Sequence, residues 1–246
     1  MPENPLQNMI NTLSPHLGFT PERLERFFAW AQYLHWADLH RRRFLAWEKA
    51  DDMEANWQLF ALMSAWYASL WVVVEGWREI PLSDPSVDEL LASNPRYLDL
   101  LKRYRNGVFH YQPRIGDRRV KDLLVEGETS AHWIVLFHQE FCRFYWELVN
   151  RPPLPLELAS EIRDCVLDIV GWIPSDIVLA RAEALREKAD QAVSLLRENG
   201  DFESDGALKL LDAARGAADG AAEAEHDYQR LKSEAIRRIK RRSGPS

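Results

Sequence analysis

Between Ala55 and Val74 the chain runs for 20 residues without a charged side chain. A helix of that length either crosses a bilayer or is covered on several sides by the rest of the protein. Asn56, Gln58, Ser64 and Ser69 interrupt its apolarity, and acidic residues flank it at both ends. Those interruptions favour a buried core helix over a membrane span. With 46% hydrophobic residues and ten tryptophans, the chain has the side chains to surround such a helix. The expectation is an all-α protein that does not enter a membrane.

Helix signals continue on either side. Leu6 to Leu13 reads as a short apolar segment before a turn at Ser14-Pro15. Thr20-Pro21-Glu22 then offers an N-cap, a proline at the first helical position and an acid in the first turn. The helix it opens runs through Phe27, Trp30, Ala31 and Leu34 to near Trp47, with Arg41-Arg42-Arg43 complementing the dipole at its end. The uncharged helix begins at Asp51-Asp52 and stops near Glu79, before Pro81 and Pro85. Ser86 to Leu91 forms a short helix. Asn94 and Pro95 start another, and Ser130 caps one rich in Trp133, Phe137, Phe141 and Trp146. Arg114 to Thr129, between these two, reads as a long basic loop, with Leu123 to Val125 as a possible short element.

Prolines at 152, 153 and 155 mark the first boundary. The organisation expected is a helical domain over 1–150, a proline-bounded connecting helix over 151–174, and a helical extension over 175–246. The last part holds only Phe202 and Tyr228 as aromatics, carries a heptad-like Leu/Ala stripe broken near Asn199 to Gly206, and ends in Arg237, Arg238, Lys240, Arg241 and Arg242. Cys142 and Cys165 have neither metal-type spacing nor a disulfide framework, and the first residues lack the layout of a signal peptide. Both point to a cytoplasmic protein without a metal or other cofactor. His132 and His138 lie six apart and do not share a helix face, so they form no ligand pair.

The net charge of −7 argues against indiscriminate coating of nucleic acid. One window differs: residues 100–121 hold Lys102, Arg103, Arg105, Arg114, Arg118, Arg119 and Lys121 against Asp117 alone. A local basic face of this kind suits a polyanion. Within it, Tyr97, Leu100, Leu101, Tyr104, Val108 and Tyr111 recur at helical spacing. Lys102, Asn106 and His110 then fall on the opposite side, with Arg105 about 140° round from His110. Phe109 is a large ring on that polar side, and a second copy of the same helix is the simplest cover for it.

Arg105-Asn106-x-x-x-His110 resembles the R-N-x-x-x-H signature of HEPN proteins. The spacing alone is common; Asn directly after Arg makes it specific. The upstream Trp66 to Trp77 segment, with Glu75 near its end, is similar to the second helix of such domains, and the resemblance covers roughly residues 20 to 150. It implies a helical bundle that dimerises so that two signatures face one another. It also implies metal-independent endoribonuclease activity and a setting in toxin–antitoxin or antiviral defence, with an antitoxin or other protein as a further partner.

The chemistry is consistent with those residue types. RNA carries its own nucleophile in the 2′-hydroxyl, so cleavage needs proton transfer and charge stabilisation at phosphorus. An imidazole titrates near neutrality, and a guanidinium grips phosphate with two donors. In this reading His110 moves protons, Arg105 stabilises the pentacoordinate phosphate and Asn106 orients His110 or the phosphate. Glu75 and Lys102 support the site, and Arg103, Arg114, Arg118, Arg119 and Lys121 hold RNA. The same basic face would serve a HEPN-like module that binds RNA or nucleotide without cutting it, and a helical scaffold with an accidental signature is a third reading. Glycine-rich phosphate loops, G-x-S-x-G and H-E-x-x-H motifs are absent from the sequence.

Overall fold

A computed structural model describes residues 5–47, 53–149 and scattered positions between 166 and 216. Among the described residues there are seven helices and no strand: α1 (Pro5–Leu17), α2 (Pro21–Leu45), α3 (Met53–Glu79), α4 (Pro85–Ser93), α5 (Pro95–Phe109), α6 (Arg118–Val125) and α7 (Glu128–Val149). The protein is all-α, as its patterning predicts. It divides into two compact units, Met1–Ile173 and Pro174–Ser246. Most of the expected C-terminal hairpin lies outside the described residues, as does Cys165.

Local chemistry sets the helix starts. Thr20 accepts a hydrogen bond from the Arg23 amide at 3.3 Å, with Pro21 at the first helical position. Asp84 accepts from the amides of Ser86 and Val87 ahead of α4, and Asp117 from that of Arg119 ahead of α6. Asn94 occupies the cap position of α5, but its amide turns back to Ser93 and makes no cap bond. Ser14-Pro15 is not a turn. Both residues lie inside α1, where the Ser14 hydroxyl donates to the Ile10 carbonyl at 2.6 Å. A proline this close to a helix end disrupts little that fraying would not. Ser130 is the third residue of α7, three past the cap position, and donates its hydroxyl to the carbonyls of Leu123 and Gly127.

α2 and α3 form the central pair. Trp30 packs at Val73, Gly76 and Trp77 while Phe44 meets Trp66, so the two helices run antiparallel. α7 closes over them, with Phe141 and Phe144 against Trp30 and Trp77, and Tyr145 stacked on Phe27. Trp30, Trp66, Tyr104, Phe137, Phe141 and Tyr145 are among the largest fully buried side chains. α3 has the length and composition of a membrane-crossing helix. Its apolar face is covered within the chain: Val73 takes the Trp30 indole, Ser64 and Tyr67 meet Tyr104 of α5, and Trp66 reaches His138 of α7.

The stretch expected to be a basic loop contains α6, which folds back antiparallel to α5. Arg96 pairs with Glu126, Arg103 with Asp122, and Gly107 lies against Val120. A Cβ at Gly107 would sit 2.7 Å from Val120 Cγ2 and 3.1 Å from Arg119 Cβ, so only glycine permits this approach. Gly127, with φ of +65°, turns the chain from α6 into α7.

Candidate active site at the end of α5

α5 buries Leu98, Leu100, Leu101 and Tyr104, the face predicted from its period. The helix stops at Phe109, one residue short of His110, which adopts extended φ/ψ of −118° and 140°. Pro113 is the physical reason: it disfavours helix at Gln112 and has no amide to continue the ladder. The sequence reading carried the helical period too far. Tyr111, expected on the apolar stripe, is 91% exposed, and His110 does not share a helix face with Lys102 and Asn106.

Arg105 and Asn106 lie near the end of α5, and His110 is the first residue beyond it. Arg105 Nη1 donates to Asn106 Oδ1 at 3.1 Å, which ties the two signature side chains together. The shielded Arg105 Nε has no hydrogen-bond partner among the described residues. No hydrogen bond joins the exposed His110 imidazole to either residue. Phe109, Tyr111 and Ile115 are 52%, 91% and 100% exposed around this point, so an apolar rim borders the polar group.

Gln112 is the residue that sequence reasoning missed here. Its amide nitrogen donates to the carbonyls of Asn106, at 3.2 Å, and His110, at 2.7 Å, while its oxygen accepts from Arg119 Nη1 at 3.2 Å. A glutamine beside a proline carries no such signal until α6 brings Arg119 alongside.

The expected RNA-binding residues divide. Arg114 and Arg118 are exposed, and Lys102 is exposed one turn before Asn106. Arg119 serves Gln112 and lies near Asp117. The Lys121 stem crosses over Gly116. Arg103 is paired with Asp122, just beyond the window in which only Asp117 was counted, so its charge is partly offset at the surface. Among the described residues no hydrogen bond or ion pair joins Glu75, part-exposed near the end of α3, to His110.

A second polar cluster lies within the core, and sequence reading had treated its members separately. Asp38 is fully buried and accepts from Arg41 Nε and Nη2 at 2.9 and 2.7 Å, from the Trp172 indole at 2.9 Å, and pairs with Arg42. Arg41, expected as a solvated cap, is 7% exposed. His138 Nε2 lies 3.3 Å from Asp38, and its Nδ1 accepts from the Trp66 indole. An indole only donates, so His138 is held as the neutral Nε2–H tautomer and acts on Asp38 through a bond, not a full charge. Burial alone would push the Asp38 carboxyl up; the His138 bond and the Arg41 guanidinium hold it well below the usual carboxylate range.

Cys142 lies close enough to complete an Asp38–His138–Cys142 ligand set, with the three ligand atoms within 4.8 Å of one another. Two guanidiniums already neutralise Asp38, and the Trp66 donor covers His138 Nδ1, so the cluster has the chemistry of an internal ion pair and not of a cation site. Trp172 also stacks on Tyr145 and His35, so this part of the proposed 151–174 connector belongs to the first unit.

No protein-family model, no curated protein and no solved structure matches this chain.

Proposed function

We propose that the protein is a metal-independent endoribonuclease of HEPN type, acting at a composite site formed by two copies. The observation that supports this reading is the Arg105–Asn106 hydrogen bond near the end of α5, with the exposed His110 one residue beyond the helix and exposed Phe109, Tyr111 and Ile115 near it in the chain. The 2′-hydroxyl attacks the adjacent phosphorus, the 5′-oxygen of the next nucleotide leaves, and the products are a 2′,3′-cyclic phosphate and a 5′-hydroxyl end. His110 takes or returns the proton, and Arg105 stabilises the charge that builds on the phosphate oxygens. Asn106 fixes the guanidinium through its 3.1 Å bond.

The reaction needs proton transfer and charge stabilisation at the same phosphate, which His110 of one copy and Arg105 of the other would supply together. Two copies meeting over Phe109, Tyr111 and Ile115 would supply both and cover the apolar rim. Arg114, Arg118 and Lys121 lie on the same α5–α6 hairpin and would extend the grip along the RNA. The alternative is a module that binds RNA or nucleotide without cutting, and it is favoured wherever the chain stays monomeric. The test is incubation of a mixed RNA pool in EDTA with wild type and with His110→Ala. Fragments ending in cyclic phosphate from wild type alone support the proposal. Equal cleavage by the variant, or none by folded wild type, overturns it.

A further inference from the structure

We infer that Gln112 is a positioning residue for His110, an assignment that rests on the ribonuclease reading. His110 has left the helix, so helical hydrogen bonding no longer fixes where its imidazole points relative to Arg105 and Asn106. Gln112 replaces that constraint. One amide nitrogen spans the carbonyls of Asn106 and His110, which joins the last helical turn to the extended residue after it.

The amide has only one productive orientation. Its oxygen faces the Arg119 guanidinium and its nitrogen faces two carbonyl oxygens; turning it over would set a donor against a donor and an acceptor against two acceptors. Arg119 is carried by α6, whose close approach to α5 depends on Gly107. The backbone of His110, from which its imidazole projects, is therefore held by a chain of contacts from α6 through Gln112. Two copies could share a site only if both imidazoles are presented in a fixed direction, and misplacement by about an ångström typically costs on the order of a hundredfold in rate.

Gln112→Glu keeps the side chain's shape but opposes a carboxylate to the two carbonyls, and Gln112→Ala removes the link. Both are measured in the full chain with a fluorophore-labelled mixed-sequence RNA oligonucleotide, alongside urea unfolding. The expected result is a kcat reduced roughly ten- to a hundredfold, with KM within about twofold and the urea midpoint close to wild type. Unchanged kcat in Gln112→Glu overturns the inference, as does a kcat that falls only in proportion to a loss of folded protein. Carbonyl carbon-13 shifts of Asn106 and His110 give a readout that needs no cleavage. If wild type cuts no RNA, the ribonuclease reading fails on its own. The Gln112 link then stands if both shifts move in Gln112→Ala, and falls if neither does.

Discussion

Replacing Asp38 with alanine should unfold the first unit far more easily than any surface change. The carboxylate is fully buried and holds Arg41, whose side chain is 9% exposed, together with Trp172 and His138. The Arg42 contact adds little, because that side chain is 45% exposed and solvent screens it. What remains is a buried guanidinium without the carboxylate that accepts two of its hydrogen bonds, and breaking such a pair costs about 3–5 kcal/mol. For a domain of this size that corresponds to a fall in Tm of roughly 6–20 °C. All ten tryptophans lie between residues 30 and 172, so their fluorescence during urea unfolding reports the first unit alone. Arg41→Met added to Asp38→Ala should restore part of the loss by removing the buried charge that Asp38 balanced. The pH dependence has a defined sign. Asp38 titrates below its ordinary value of 3.8 in the folded protein, so the unfolded chain binds its proton first. Its contribution is therefore complete above about pH 4 and is lost as the solution is acidified below it. A loss under about 1 kcal/mol in Asp38→Ala would refute the argument, since an ion pair buried this deeply cannot be removed so cheaply.

Two further predictions follow from packing and burial. Gly107→Ala places a methyl against Val120 and the stem of Arg119, both stiff at the point of contact. It should cost about 1–3 kcal/mol despite alanine's better helix propensity, with Val120→Ala recovering part of it; an increase in the urea midpoint would contradict the close approach. Burial pushes the Tyr67 hydroxyl up to about 12, helped by Tyr104, and raises Tyr104 and Tyr145 as well. Ultraviolet titration should therefore find these three phenols still protonated above pH 10. Their contribution to stability is complete below the ordinary tyrosine value and is lost as pH rises past it. Ionisation of all seven tyrosines near pH 10 in folded protein would contradict that burial.

The helical architecture was legible because the apolar period runs through α2, α3, α4 and α7, with Thr20 and Pro21 marking the start of α2 and Pro81 and Pro85 bounding the end of α3. Three features were not, each for a physical reason. α6 is eight residues long and half charged, and it is stabilised by Arg103–Asp122, Arg96–Glu126 and the Gly107 contact, none visible to local pattern. His110 fell outside the helix because a proline three residues later acts backward along the chain, and a period computed from α5 alone ignores it. The Asp38 cluster joins residues 100 and 134 positions apart, so no local pattern brings Asp38, His138 and Trp172 together. In the candidate site, Arg105, Asn106 and His110 were identifiable as a group from the motif, whereas Gln112 required the fold to bring Arg119 beside it.

The composite site is tested most directly by mixing. Arg105→Ala and His110→Ala are each purified, confirmed as folded dimers by light scattering, and assayed separately and after exchange of subunits in equal amounts. If each phosphate is served by Arg105 of one copy and His110 of the other, both variants are inactive alone. The mixture then recovers about a quarter of wild-type cleavage, because half of the dimers are mixed and each of those holds one intact site. A mixture as inactive as its parents would contradict the composite site, and a monomeric wild type would remove it.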